Sequence, residues 1–180
     1  MKGLYLLIGC LLVMLGCKET ATKKDTVKAN IPVIANYKAG TMDVPFYEFK
    51  ELETFLHKKD DRTYVINFWA TWCKPCIKEL PYFEELNANY KDRNVEVLLV
   101  SLDFPKSIES KLLPFIKEHG LKSQVVILND IKSNTWIPKV DEEWSGAIPA
   151  TVIYNKDKRQ FYERSFTYEE LETELEQFLN

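Results

Sequence analysis

The sequence contains little of what disulfide scaffolds, metal sites and nucleic-acid-binding surfaces require. It has only four cysteines and two histidines among 180 residues. Small secreted domains held together by several disulfides use more cysteines for their length, and a structural zinc site takes about four cysteine or histidine ligands. The formal net charge is −3, and no stripe of lysine and arginine interleaved with aromatic residues occurs. We therefore expect no disulfide scaffold, no metal site and no nucleic-acid partner.

The first seventeen residues, MKGLYLLIGCLLVMLGC, have the pattern of an export signal. One early lysine precedes an apolar and glycine-containing run that is too short to cross a bilayer as a mature helix. The run ends in Leu15, Gly16 and Cys17, and this ending resembles the lipobox of bacterial lipoproteins. The resemblance implies a lipoprotein signal peptide over residues 1–17 with the lipid on Cys17. An ordinary cleaved signal peptide and a short anchor are the alternatives.

The next segment, residues 18–39, is rich in lysine and poor in apolar clusters. Such a segment cannot bury enough surface to offset the entropy lost on ordering, so we predict a flexible tether. The remaining residues, 40–180, are long and apolar enough to form one domain with one core. If Cys10 leaves with the signal and Cys17 carries lipid, that domain keeps only Cys73 and Cys76.

Within the domain, runs typical of strands alternate with runs typical of helices. Short β-branched and aromatic runs predict strands, whereas apolar residues repeating with a period near 3.6 predict helices. A polar turn, NKDKR, favours an antiparallel hairpin near the end of the chain. The predicted strands are 63–69, 95–102, 124–128, 151–154 and 160–164; the predicted helices are 76–90, 107–119 and one that Thr167 caps. This order predicts an α/β fold, a mixed sheet with helices on both faces.

The two remaining cysteines lie where a strand ends and a helix begins. Free backbone N–H groups and the helix dipole stabilise a thiolate there. One helical turn brings the sulfurs of Cys73 and Cys76 onto one face, and Pro75 fits the first turn without loss of a hydrogen bond. This arrangement favours a redox-active pair. A passive bridge and a metal site are the alternatives, although a loop of two residues yields little stabilisation.

The longer stretch NFWATWCKPCIKELP, which ends at Pro81, and the distant pair Ile148 and Pro149 resemble the thioredoxin superfamily. The pattern is similar to that of the membrane-tethered thiol-disulfide reductases of the TlpA and ResA type. The resemblance covers residues 40–180. It implies a thioredoxin-like mixed sheet flanked by helices, with an inserted helix-strand unit at about 104–128.

The resemblance also implies roles for single residues. Cys73 would be the attacking nucleophile and Cys76 the resolving cysteine, so that their disulfide is the redox group and no other cofactor is needed. Pro149 would be the cis-proline facing the pair, and the backbone of Ile148 would bind an extended substrate. The implied substrate-binding residues are Trp72, Lys74, Pro75, Ile148 and Pro149.

One departure from thioredoxin concerns the buried aspartate six residues before the first cysteine, where this chain has Asn67. The envelope subgroup also has asparagine there, with a glutamate three residues after its second cysteine, and Glu79 occupies that position. Residues three apart share a helix face, so Glu79 could exchange a proton with Cys76. Burial would raise its pKa into a useful range. The alternative is a solvated helix glutamate beside Lys78.

The direction of electron flow follows from the loop between the cysteines. That loop contains Lys74 but no histidine. A histidine between the cysteines is associated with strongly oxidising relatives. We therefore expect a reductant. The resemblance implies that its substrates are oxidised cysteines of exported proteins, with apocytochrome c as one candidate. A reductant in an oxidising compartment must be recharged, and the resemblance implies a membrane thiol-reductase as the donor. The protein would face the periplasm or the exterior of a bacterial envelope as a lipid-anchored protein.

Two alternative functions stay open. The chain could be a chaperone-like binding lipoprotein with a passive disulfide, or a thiol peroxidase, although the threonine and proline pattern around a peroxidatic cysteine is missing. Trp136 and Trp144 could line a substrate rim, but aromatic cover for the core is the commoner explanation.

Overall fold

The computed structural model describes residues 33–179. The predicted signal peptide, the lipid-bearing Cys17 and residues 18–32 of the predicted tether lie outside this range and stay predictions. No helix within residues 33–179 has both the length and the hydropathy that crossing a bilayer demands.

The centre of the fold is a seven-stranded mixed sheet, which confirms the predicted α/β class. Its order is β1-β2-β5-β4-β3-β6-β7. Strands β2, β5, β4 and β3 run parallel to one another, whereas β1 and β2, β3 and β6, and β6 and β7 pair antiparallel. The strands are β1 (Ala35–Ala39), β2 (Met42–Tyr47), β3 (Thr63–Trp69), β4 (Val95–Ser101), β5 (Gln124–Leu128), β6 (Ala150–Tyr154) and β7 (Arg159–Tyr162).

Helices cover both faces of the sheet, as predicted. The helices are α1 (Phe49–Leu52), α2 (Lys74–Tyr90), α3 (Leu113–Glu118), α4 (Ser133–Val140) and α5 (Tyr168–Glu176). Apolar residues of α2, α3 and α5 form one buried cluster with one side of the sheet. Residues of α1 and α4 form a second cluster on the other side. We call these sides the α2 face and the α4 face.

Strand β3 is buried along its whole length, and its side chains alternate between the two faces. Val65 and Trp69 pack in the cluster on the α2 face, whereas Tyr64, Ile66 and Phe68 pack on the α4 face. The same alternation turns Asn67, which is fully buried, toward α2. A polar side chain thus enters the core on the side of the helix that carries the cysteines.

The inserted unit predicted at about 104–128 is present, but its helix is divided. A 3-10 turn at Pro105–Ser107 and a π-helical turn at Ile108–Leu112 precede α3. Pro114 lies in the first turn of α3, directly after the π-helical turn. Gly120 follows with φ at 61°, a left-handed conformation that ends the helix.

The domain begins earlier than predicted. Strand β1 starts at Ala35, and Ala39 is buried, so residues 35–39 are not part of a flexible tether. Residues 18–39 were predicted as a tether because of their lysine content, but within β1 every second residue turns inward. Gly40, with φ at 65°, closes the turn to β2. The predicted domain boundary at residue 40 therefore falls within the hairpin, between β1 and β2.

The final helix begins where the sequence indicates. Thr167 accepts a hydrogen bond from the backbone N–H of Glu170, and the Glu170 carboxylate accepts one from the backbone N–H of Thr167. This reciprocal capping box fixes the chain just after Phe166, a residue whose backbone reaches the candidate site.

Candidate redox site

Cys73 and Cys76 form a disulfide at the start of α2, with their Cα atoms 5.3 Å apart. Cys73 is the residue that caps the helix, and its sulfur accepts a hydrogen bond of 3.3 Å from the backbone N–H of Cys76. That donor and the helix dipole would stabilise a negative charge on the Cys73 sulfur after reduction. Cys73 is 5% exposed and Cys76 is fully buried. An incoming partner therefore meets Cys73 first.

The loop before β6 faces the disulfide. The peptide bond between Ile148 and Pro149 is cis, and the carbonyl oxygen of Ile148 lies 3.6 Å from the Cys73 sulfur. The Trp144 indole N–H donates to the carbonyl of Ala147 at 2.8 Å and so anchors the loop to the core. The structure thus brings the distant Ile148 and Pro149 beside the cysteine pair.

Glu79 lies on α2, one turn after Cys76, and is only 1% exposed. One carboxylate oxygen accepts a hydrogen bond of 3.1 Å from the Asn67 amide. The other accepts a bond of 2.9 Å from the backbone N–H of Phe166. The Asn67 amide also donates to the Thr151 hydroxyl at 3.1 Å. Strand β3 and the loop before α5 therefore donate to one carboxyl group, and β6 holds the Asn67 amide in place. Glu79 is not the solvated side chain of the alternative interpretation.

Burial raises the pKa of Glu79 to about 7. The hydrogen bonds from Phe166 and Asn67 and the charge of Arg164 act in the opposite direction, but burial outweighs them. Glu79 also lines a cleft of 310 Å³ together with Pro75, Lys78, Tyr82 and residues 165–167 and 170. A carboxyl group with this pKa can take up and release a proton near neutral pH, and the cleft leads from it to solvent.

The other predicted site residues are divided between surface and core. Trp72 is 54% exposed, and Lys74 and Pro75 are also exposed beside Cys73. Ile148 is half-buried and Pro149 is buried. Trp69 is fully buried against the ring of Phe115, at a centroid distance of 5.5 Å, as expected for core packing.

Trp136 and Trp144 are core residues and not a substrate rim. Each is 5% exposed and packs in the cluster on the α4 face. Their rings meet edge to face at a centroid distance of 5.6 Å, and Trp144 also packs on Phe68 at 4.8 Å. Of the two interpretations drawn from the sequence, aromatic cover for the core is the one that the structure shows.

Sequence reasoning missed Asp103, a buried carboxylate at the end of β4. It accepts hydrogen bonds from the backbone N–H of Thr71 at 3.0 Å and from the hydroxyl of Ser101 at 3.0 Å, and the Thr71 hydroxyl also donates to it. A signal was available, because β3 and β4 were both predicted strands. Polar residues that follow neighbouring parallel strands meet at one edge of a sheet, where α/β proteins place their sites.

The profile of the AhpC/TSA family matches residues 37–159. The thiol-disulfide oxidoreductase ResA of Bacillus cereus is 35% identical over 92 residues, which cover 51% of this chain and 48% of that protein. ResA of Geobacillus kaustophilus is 32% identical over 138 residues, covering 73% of this chain and 74% of that protein. The chain thus spans about half the length of the first relative and about three quarters of the second.

Solved structures match the fold. The crystal structure of a DsbF homologue from Corynebacterium diphtheriae superposes with a TM-score of 0.57 at 20% identity, covering 82% of this chain and 86% of that chain. At this identity the likeness concerns the fold alone, and it agrees with the predicted thioredoxin-like sheet.

The raised pKa of Glu79 makes the stability of the oxidised protein depend on pH. Between its ordinary pKa of 4.5 and about 7 the folded state holds the Glu79 proton more tightly than the unfolded state does, so the free energy of unfolding falls as pH rises. In the disulfide form neither cysteine titrates. From pH 5 to 8 we expect the wild type to lose about 2 to 3 kcal/mol relative to Glu79→Gln, which stays neutral.

Urea unfolding of both oxidised proteins at several pH values measures this difference. Subtracting the Glu79→Gln profile removes the contributions of other titrating groups, including His57, whose pKa burial lowers. If the free energies of unfolding of the two proteins change with pH in the same way from pH 5 to 8, Glu79 does not hold its proton in the folded protein.

Proposed function

The chain belongs to the AhpC/TSA family and, within it, to the ResA-like proteins, and we propose from this that it is a thiol-disulfide oxidoreductase that reduces disulfides of exported proteins. The observation that carries the proposal is a disulfide at a helix N-terminus that faces a cis-proline loop, with Cys73 outermost. A bridge that served only stability would need neither the helix N-terminus nor a buried proton carrier beside it.

In the first step the reduced protein forms a mixed disulfide with its substrate. The Cys73 thiolate attacks one sulfur of the substrate disulfide, a Cys73–substrate S–S bond forms, and the other substrate sulfur leaves as a thiolate that takes up a proton. The N–H of Cys76 supports the thiolate of Cys73 before attack. The carbonyl of Ile148 lies beside that sulfur, where the backbone of an extended substrate would pass.

In the second step the mixed disulfide is resolved. Cys76 loses its proton to Glu79, and the Cys76 thiolate attacks the Cys73 sulfur. The disulfide of the structure forms, and the second substrate sulfur leaves as a thiolate. Two electrons have then passed from the protein to the substrate. The burial of Cys76 and the pKa of Glu79, about 7, support this assignment, because a buried thiol needs a nearby base to ionise.

The direction of electron flow belongs to the proposal. Lys74 is the one charged residue between the cysteines and the loop has no histidine, which favours a reductant. A reductant in an oxidising compartment must itself be reduced after each cycle. We therefore propose a membrane thiol-reductase as the donor, oxidised cysteines of envelope proteins as substrates, and apocytochrome c among them.

Membrane attachment through lipid on Cys17 is part of the same proposal. It is supported by the apolar run that ends in Leu15, Gly16 and Cys17. A lipid anchor would keep the domain close to a membrane donor, with residues 18–32 of the predicted tether between them.

Trapping of the mixed disulfide tests the two cysteine roles. With Cys76→Ala the second step is blocked, so disulfide-linked adducts with envelope proteins should accumulate in cells and disappear on reduction. Cys73→Ala is the matched control and should form none. Non-reducing gels separate the outcomes. Absence of adducts with Cys76→Ala would favour the passive bridge, and equal adducts with both variants would contradict the assignment of Cys73 as nucleophile.

The reduction potential of the pair tests the direction. Equilibration with glutathione or dithiothreitol buffers should give a value near that of thioredoxin, about −270 mV. A value close to that of strong oxidants, about −120 mV, would mean that the protein oxidises its partners.

Fractionation of cells tests the anchor. The wild type should sediment with membranes, and Cys17→Ala should lose the lipid and appear in the soluble fraction or with an uncleaved signal. Cys10→Ala is the control and should fractionate as the wild type. Membrane association of Cys17→Ala with a processed N-terminus would contradict lipid attachment at this residue.

A further inference from the structure

Two exposed aromatic rings lie together beside the disulfide. Trp72 is 54% exposed and Phe104 is 57% exposed. Among residues 33–179 no other phenylalanine, tryptophan or tyrosine is more than half exposed. The two rings stack with a centroid distance of 6.1 Å and an interplanar angle of 21°. We call the pair the Trp72–Phe104 surface. A paired apolar surface of this kind marks an interaction site more often than isolated exposed residues do.

Hydrogen bonds of neighbouring residues fix the position of both rings. Thr71 precedes Trp72, and Asp103 precedes Phe104. The buried Asp103 carboxylate, 2% exposed, accepts the backbone N–H of Thr71 at 3.0 Å. The backbone N–H of Leu102 donates to the carbonyl of Trp69 at 2.8 Å. Because these bonds hold the two chain segments together, the rings are kept at the surface and do not have to order themselves when a partner binds.

The surface adjoins the reactive sulfur. Trp72 immediately precedes Cys73, and the carbonyl of Ile148 lies 3.6 Å from the Cys73 sulfur. A substrate segment whose cysteine reaches Cys73 therefore carries its neighbouring side chains to the vicinity of Trp72. The aromatic surface is thus continuous with the place where the mixed disulfide would form.

The exposed charged residues that flank the two rings in sequence are both lysines. Lys74 follows Cys73, Lys106 lies two residues after Phe104, and both are exposed. Within the described part of the chain neither lysine takes part in an ion pair. Exposed cations around an apolar centre favour a partner with acidic residues at its rim.

We propose that the Trp72–Phe104 surface is a docking site for an extended segment of the oxidised substrate protein, one with an aromatic or large apolar side chain next to its cysteine and an acidic residue nearby. The inference rests on the proposed function and specifies its substrate class. Phe104 is then a specificity-determining residue, and Asp103 is a positioning residue that acts through Thr71.

Matched peptides test the apolar part of the proposal. Each carries one cysteine as a mixed disulfide with thionitrobenzoate, and either phenylalanine or serine next to that cysteine. Attack by Cys73 of the reduced full-length protein on the peptide sulfur releases coloured thionitrobenzoate and forms the protein–peptide disulfide, which Cys76 then resolves. For the wild type we expect the phenylalanine peptide to react about tenfold faster, the effect of one well-placed apolar contact.

The variant Phe104→Ala should bring the ratio of the two rate constants to within about twofold of one. Because Phe104 is largely exposed, this change leaves the core intact. Ile131→Ala is the matched control, since Ile131 is 92% exposed and lies outside the surface, and it should keep the wild-type ratio. A preserved ratio in Phe104→Ala overturns the proposal, as does a wild-type ratio near one.

A second pair of peptides, with glutamate or lysine at the next position, tests the charge. The glutamate peptide should react faster, and the difference should shrink as salt is raised from 0.05 to about 0.5 M because screening weakens attraction between exposed charges. Equal rates at low salt contradict the acidic preference.

Failure of the wild type to react with any of the peptides or with hydroxyethyl disulfide contradicts the proposed function instead. Dimers in sedimentation that Phe104→Ala dissociates would identify a second copy as the occupant and overturn the substrate assignment.

Discussion

The pairing of β3 with β4 on one side and with β6 on the other places Asp103, Asn67 and the cis-proline loop around the disulfide. Trp69 pairs in parallel with Ser101, so the chain leaves both strands at the same edge of the sheet and Thr71 meets Asp103 just beyond it. On the other side Asn67 pairs with Thr151 in the antiparallel ladder to β6. The same ladder fixes the start of β6 and, with it, the cis-proline loop. A shift of β3 by one residue would turn Asn67 away from α2 and separate the cysteines from both partners.

The chemistry of Glu79 depends on a balance that the core sets. Burial disfavours the charged carboxylate, while the donors from Asn67 and Phe166 favour it. Since burial is the larger effect, Glu79 holds its proton more tightly than an ordinary glutamate does, and the proton can be exchanged near pH 7. Asn67 supports this balance because an amide donates a hydrogen bond without adding a second charge. An aspartate at that position would add a like charge beside Glu79 and couple the two titrations.

Several elements could be predicted from local pattern, and others could not. The strands at 63–69 and 124–128 were predicted with the observed bounds, because buried central strands are continuous apolar runs. The cap at Thr167 was predicted because the chemistry of helix capping is local. Strand β1 was missed because it is short, buries little and follows a lysine-rich segment, and its order comes from pairing with β2. Helix α4 was missed because SNTWIPKV contains Pro138 and is only eight residues long.

The sequence by itself determined the spacing of Cys73 and Cys76, their place between a strand and a helix, and the composition of the core, because these features depend on neighbours along the chain. Only the tertiary structure decided which groups meet the cysteines from far away. Asp103, Phe166 and Ile148 reach the site from β4, the loop before α5 and the loop before β6. The physical reason is that strand pairing and burial act between segments distant in sequence. The hydrogen-bond partners of Glu79 and the exposure of Phe104 therefore appear only when those segments are packed together.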